Sequence, residues 1–350
     1  MSSFGPPFRL GVLDQSPVAA GRSAHAAIAE TLALARQTEA WGYERYWLAE
    51  HHGAGSFAGT RPLLLASRVA SLTTKIRVGT GGIMLMHASA LAVAEQIRTL
   101  EALFPGRIDL GIGRAPGGSG HTSVALSPNG APPDLDQDLF ARKLEDLGDL
   151  LHGAASGPEG FPPAHPHAGV FAQPLSKLEP GATQPWLLGS GSKSAALAAR
   201  LGWGFCFAAF LGGATGMSVV DEYREHFRPS PWLEKPRVSV AAYVVAADTD
   251  DEAEALLSST ELWFLRTRQG RREPFPSVEE ALAHPWTPAE IRLRDATRAL
   301  RIRGGPERVR KGLSRLASRY ETDELVINCI THDPAARLRS YEIVSELNQG

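Results

Sequence analysis

Three groups of residues carry the chemistry this chain offers, and each follows a short apolar run. The first is Glu50-His51-His52, directly after Tyr46-Trp-Leu-Ala49. Imidazoles placed there can serve as base, proton donor or metal ligand near neutral pH, and the plain alternative is two loop histidines fixed by ordinary hydrogen bonds. No Cys, His or Asp at ligand spacing accompanies them nearby, so no metal site is expected. The second is Arg114 after Gly111-Ile-Gly113, a guanidinium suited to phosphate or to a surface salt bridge. The third is Gly189-Ser-Gly-Ser192 with Lys193 and Ser194, opening the helical pattern Ala195 to Leu201. Backbone N–H groups and hydroxyls at such a helix start suit an anion, although Ser192 could equally be only an N-cap. Taken together, Arg114 with Ser190, Gly191, Ser192 and Ser194 reads as a phosphate clamp. It is not a Walker A loop, because Gly-Lys-Ser/Thr at the required spacing is absent. Gly81 and Gly82, at the end of Gly79-Thr-Gly-Gly82, permit either a tight turn or close approach of a flat ring to the main chain.

Positioning these groups requires strands that all end on one side. Phe8 to Leu13 reads as a strand stopped by Asp14, Gln15, Ser16 and Pro17. Ser23 then stands as N-cap before Ile28, Leu32 and Ala35 on one helical face, and Gly42 closes that helix. The alternation repeats: Tyr46 to Ala49, a helix Pro62 to Leu72, Ile76 to Gly79, a helix carrying Leu91, Ala94, Ile97 and Leu100, then Ile108 to Gly113. Trp186 to Gly189, Gly204 to Ala208, Val238 to Ala247 and Leu325 to Ile330 supply the later strands. About eight βα units predict an α/β fold of the (β/α)8 TIM-barrel class, with ligands at the carboxyl ends of the strands. The segments 115–133, 153–183 and 267–288 are rich in Gly, Pro, Ser or His and read as insertions in a single domain, 1–350. A linker at 153–183 dividing the chain in two is the alternative.

Composition narrows the partners. With 36 Lys and Arg against 38 Asp and Glu, the formal net charge is −2, so no overall positive field exists to hold nucleic acid or an anionic membrane. A small molecule is the expected ligand. Cys206 and Cys329 lie in apolar runs and read as reduced core residues, which suits a cytoplasmic setting. Met1 to Pro7 lacks the features of a secretory signal, and the longest apolar stretch, Val238 to Ala247, is too short to span a bilayer.

In order and spacing the chain resembles the bacterial luciferase-like monooxygenases over nearly its whole length. The resemblance rests on Leu13-Asp-Gln-Ser-Pro17, Tyr46-Trp-Leu-Ala-Glu-His-His52, Ile76-Arg-Val-Gly-Thr-Gly-Gly82 and Ala94-Glu-Gln96. It continues through Phe104-Pro-Gly-Arg-Ile-Asp-Leu-Gly-Ile-Gly-Arg-Ala115, Leu187-Leu-Gly-Ser190 and Gly305-Pro-Glu307. It implies a barrel enzyme that takes reduced FMN from a separate flavin reductase and uses O2, through a C4a-peroxyflavin, to oxygenate a small organic substrate. His51 would be the catalytic histidine beside the flavin. Arg114, Ser190, Gly191, Ser192 and Ser194 would hold its phosphate, with Glu50, Gly81, Gly82 and Met84 lining the cofactor pocket. The family often has a non-prolyl cis peptide at Gly81-Gly82, and 267–288 corresponds in position to a mobile loop over the site. Gly113 stands where the luciferase has a reactive cysteine, and Met84, Leu85, Met86 and His87 would line the pocket differently from an aldehyde-binding luciferase.

Two other readings stay open at this point. An F420-dependent hydride-transfer oxidoreductase on the same fold would need a basic groove, which Arg266, Arg268, Arg271 and Arg272 could supply or which could be only a solvated face. A non-catalytic flavin-binding subunit is the third. The resemblance also implies a homodimer, with Ala66 and Ala70 either forming its contact face or packing on the barrel.

Overall fold

The computed structural model describes residues 7–115, 117–127, 137–175, 181–212 and 216–349. The parts of the first two insertions at 116, 128–133 and 176–180 lie outside the described residues. Among those described, the strands are β1 (Arg9–Asp14), β2 (Arg45–Leu48), β3 (Arg77–Thr80), β4 (Ile83–Met84), β5 (Ile108–Gly113), β6 (Gln184–Gly189), β7 (Gly204–Ala208), β8 (Val238–Ala246), β9 (Arg301–Gly304) and β10 (Glu324–Asn328). Every strand pairing is parallel, and β10 pairs with both β8 and β1. The path β1-β2-β3-β5-β6-β7-β8-β10 therefore closes on itself as an eight-stranded barrel, with β4 beside β5 and β9 beside β8 outside the ring.

The helices are α1 (Ala24–Ala40), α2 (Pro62–Leu72), α3 (Ala90–Leu103), α4 (Gly120–Leu126), α5 (Gln137–Leu151), α6 (Ser192–Leu201), α7 (Gly216–Glu225), α8 (Asp250–Arg268), α9 (Val278–Ala283), α10 (Pro288–Arg298), α11 (Pro306–Tyr320) and α12 (Pro334–Gln349). Ser23 caps α1 by accepting the Ala26 N–H, and Gly42 follows with φ of +85°, as the sequence predicts. Ala66 and Ala70 of α2 are buried within this one chain, so they pack on the barrel and form no open contact face; the exposed apolar residue of that helix is Leu64.

The barrel interior is layered, as facing side chains of alternate strands require. At the amino ends lies a charged layer. Arg45 donates to Glu324 at 2.6 Å, Asp109 at 2.5 Å and Gln184 at 2.9 Å, while Arg77 reaches Asp109 at 2.7 Å and Arg237 reaches Glu324 at 3.0 Å. Burial alone would raise the Asp109 pKa, but Arg45 and Arg77 hold it below the ordinary range, so the carboxylate is charged. Above it, Trp47 and Trp186 pack with ring centroids 5.3 Å apart, and Trp47 Nε1 donates to Asp109 at 2.8 Å. Leu13, Cys206, Ala241 and Val326 complete this inner cluster.

Asp14, at the end of β1, does not face the barrel mouth. It is fully buried, accepts from Arg337 at 2.6 Å, Tyr46 Oη at 2.5 Å and the Ser16 N–H at 2.7 Å, and ties α12 to the barrel. Burial works against its charge, but these donors bring its pKa below the usual value. The segment 267–288 is also less irregular than its composition suggests. It holds the end of α8, all of α9 capped by Ser277, and the first residue of α10. Its backbone is tied to the barrel by Phe275 N–H to Val18 O at 2.9 Å, Ala20 N–H to Phe275 O at 2.8 Å and Ser259 Oγ to Pro276 O at 2.6 Å.

Candidate functional site

The carboxyl ends of the strands surround a cavity of about 730 Å3, within the range of small-molecule and cofactor sites. All ten residues singled out from the sequence line it: Glu50, His51, Gly81, Gly82, Met84, Arg114, Ser190, Gly191, Ser192 and Ser194. Its floor is apolar, made by Leu13, Cys206 and Ala241 above the tryptophan layer.

At one side stands His51. Its ring stacks on Phe57, with centroids 4.5 Å apart and planes 29° from parallel, and Phe57 meets Trp263 of α8 and Phe275 edge-on. The imidazole is thus held by a phenylalanine of its own loop, which Trp263 and Phe275 back from the far part of the chain. Its Nδ1 is buried without a hydrogen-bond partner among the described residues. Burial, reinforced by the neighbouring His52, lowers its pKa from 6.5 to about 4, so the ring is neutral at physiological pH and fitted to accept a proton.

Glu50 has a different task from its neighbour. Its carboxylate is buried, with one oxygen 2.7 Å from His52 Nε2 and the other accepting the Met84 N–H at 2.9 Å. The backbone N–H of His52 donates to Gly117 O at 2.8 Å. Gly117 has φ of +60°, and a Cβ there would fall 1.8 Å from Met84 Sδ. Glu50 lines the cavity but its polar atoms are engaged in bracing the loops that carry His51 and Met84.

The wall between the two ends is bare main chain. Gly81-Gly82 is a cis, non-prolyl peptide bond. A Cβ on Gly81 would meet Leu13 Cδ1 at 2.6 Å, and one on Gly82 would meet the carbonyl carbon of Ile112 at 2.8 Å, so neither position has room for a side chain. At Gly113 a Cβ would meet nothing within 4 Å, which leaves open space where the luciferase family's cysteine was expected to be missing.

The far end is the anion clamp. Arg114 follows β5, is half-buried and makes no ion pair among the described residues. Beside it, after the neighbouring strand β6, α6 begins at Ser192 with Gly191 as N-cap and no capping side chain, so its first-turn N–H groups are not answered by the chain's own side chains. Gly189 lets the end of β6 fold tightly onto that turn, since a Cβ would lie 2.7 Å from Ser194.

Other expectations are placed elsewhere. Leu85 and Met86 lie in a short 3-10 turn that directs them into the hydrophobic core, and neither they nor His87 lines the cavity. None of the residues 267–288 lines it either, so that segment buttresses Phe57 and His51 from behind. The four arginines offered for a deazaflavin tail are engaged apart from the cavity: Arg266 with Glu280, Arg271 with Glu273 at 2.8 Å, Arg268 over the Phe264 ring, and Arg272 with Gly53 O at 3.4 Å. Among the described residues no group of three His, Cys, Asp or Glu could hold a metal ion, and no helix is long and apolar enough to cross a membrane.

Sequence reasoning missed the apolar lining, Phe210, Leu211, Ala241 and Cys206, because nothing in those residue types signals chemistry. Cys206 is reduced and buried, as expected, but it sits on the cavity floor, where burial pushes its thiol up to about 12.

Comparison with known proteins gives the family and the fold. The family model for luciferase-like monooxygenase matches residues 8–322. The Bacillus subtilis protein YceB is 40% identical over 97% of this chain and 98% of its own length. The N-acetyl-S-alkylcysteine monooxygenase of the same organism is 35% identical over 97% of each chain. Among solved structures, apo-MsnO8 superposes with a TM-score of 0.83 at 34% identity, covering 98% of both chains. At the level of fold alone, the oxygenating constituent of 3,6-diketocamphane monooxygenase from Pseudomonas putida, solved with FMN, gives 0.68 at 19% identity with 97% of each chain covered. An F420-dependent secondary alcohol dehydrogenase gives 0.66 at 15%, covering 97% of this chain and 98% of its own.

Proposed function

We propose, from the premise that this chain belongs to the luciferase-like monooxygenase family, that it is an FMN-dependent monooxygenase acting on a small organic substrate. The observation that carries the reading is one cavity with a neutral, unpartnered imidazole at one end and an unpaired arginine facing a bare helix start at the other. A flat ring bearing a phosphate tail has that shape and polarity. Bound there, reduced FMN would supply two electrons so that one atom of O2 goes to the substrate and the other to water.

The chain's own residues then have distinct tasks. Arg114 and the first turn of α6, with Ser190, Ser192 and Ser194, would hold the phosphate. Gly81 and Gly82 would let the ring lie against main chain. His51, neutral at working pH, would accept and return a proton on its imidazole, with Phe57 fixing the plane of its ring. Glu50 would act through the loops it braces, and the apolar floor would keep water from the reacting atoms. We extend the proposal to a separate flavin reductase as the source of reduced FMN, a homodimeric assembly and a cytoplasmic location. The four arginines raised for the F420 reading do not line this cavity.

The test is anaerobic titration with reduced FMN, followed by admission of O2 with an N-acetyl-S-alkylcysteine as the first substrate offered, after the name of the relative above. Stoichiometric binding and transfer of labelled oxygen to a substrate support the reading. His51→Ala should retain the affinity and lose turnover. Failure to bind reduced FMN, or turnover unchanged in His51→Ala, overturns it.

A further inference from the structure

A second cavity, of about 400 Å3, opens beside the first. One loop separates them: Ala208, Phe210 and Leu211 line the barrel cavity, while Ala209 and Gly212 line the other. Its opposite walls come from β9 and α11. Gly312 allows these to pack closely, since a Cβ on it would stand 2.7 Å from Ile302 Cγ2.

The charge of this cavity is one-sided. Six cationic side chains line it, Arg301, Arg303, Arg308, Lys311, Arg315 and Arg319, and among the described residues no acidic one does. In a chain of net charge −2 this is a local excess and does not reflect the composition. Three of the six are answered from outside the lining: Arg303 by Glu254 at 2.9 Å, Arg308 by Glu254 at 3.5 Å and Lys311 by Glu307 at 3.1 Å. Arg301, Arg315 and Arg319 make no ion pair among the described residues. Arg301 is half-buried, its guanidinium carbon lies 4.9 Å from the centre of the Tyr243 ring, and its Nη1 is buried without a hydrogen-bond partner. That N–H is closed off from water and from the cavity, with the Tyr243 ring packed against the guanidinium. Ala209, Ala299, Leu300, Ile302 and Leu316 supply apolar wall beside the charges.

We infer that this cavity binds the diphosphate group of a small organic ligand, at a site separate from the Arg114 clamp. Planar guanidinium forks match phosphate oxygens in pairs, and three unpaired arginines supply enough donors for two adjacent phosphates. The volume left over and the apolar wall accommodate a modest organic group attached to them.

The experiment is calorimetric titration of inorganic pyrophosphate into the full chain and into three variants: Arg301→Gln, Arg315→Ala with Arg319→Ala, and Arg114→Ala. No flavin is needed, so the outcome does not depend on the proposed monooxygenase activity. Saturable binding at one site, weakened roughly tenfold or more by Arg301→Gln and by the exposed double substitution and kept in Arg114→Ala, supports the inference. The exposed pair keeps the test meaningful if Arg301→Gln lowers stability. Absence of saturable binding, loss only in Arg114→Ala, or equally tight binding of citrate, which would reduce the cavity to an unselective patch of charge, overturns it.

Discussion

Arg114 offers the sharpest quantitative test of the site. Its guanidinium is half-buried and has no ion-pair partner among the described residues, so whatever it contributes is contributed to a ligand. A hydrogen bond to a charged group is worth about 1.5–3 kcal/mol net, and Arg114→Ala should therefore weaken FMN binding by ~2 kcal/mol, roughly thirtyfold. Riboflavin lacks the phosphate, so the same substitution should change its affinity by less than about twofold. The wild-type protein should itself prefer FMN to riboflavin by more than that thirtyfold. The first turn of α6 adds up to ~1 kcal/mol of favourable interaction with the same phosphate and survives the substitution. Fluorescence titration of the four combinations gives the coupling directly, as a double-mutant cycle in which one of the two changes is made in the ligand. The melting curve should be unmoved, because no protein partner is lost. Equal weakening of FMN and riboflavin, or a coupling near zero, would refute the assignment of this end of the cavity to phosphate.

Two further outcomes follow from buried charge. His51 is neutral when folded down to about pH 4 and titrates near 6.5 when unfolded. The folded state therefore binds fewer protons in that window, and the stability this group contributes is full above pH 6.5 and lost as pH falls towards 4. Turnover at saturating flavin should share the acid limb near pH 4; an acid limb at 6.5 in the wild-type profile would show that the imidazole is not desolvated. At the base of α12, Arg337→Met leaves the Asp14 carboxylate buried without its cation and should cost ~3 kcal/mol or more in urea unfolding, partly restored by adding Asp14→Asn. A loss below about 1 kcal/mol would mean that this ion pair does not anchor the helix.

Much of this was legible in the sequence because the barrel converts position into proximity. Once strand ends are located, the residues after them are neighbours whatever their separation, which is how Glu50 and His51, Arg114 and Ser190 to Ser194 were brought together from type and order alone. Asp14 failed the same rule because, at the last residue of β1, the alternation of side chains along the strand sends it outward to Arg337, and no residue type reveals that parity. Strand β9, Arg-Ile-Arg-Gly, escaped notice because its four residues alternate charge with a single apolar side chain. The stack behind His51 could not be read at all: Phe57, Trp263 and Phe275 meet only through tertiary packing.

The charged layer at the amino ends of the strands has a consequence for kinetics. With Arg45, Asp109 and Glu324 locked together beneath two tryptophans, the barrel is a blind-ended well. On the function proposed above, cofactor, oxygen, substrate and product would share one doorway, and a flavin seated across it would turn the interior into a waiting room. Whatever lay deeper would leave only by passing the flavin or after the flavin had gone, so the architecture would set the order of arrivals and departures.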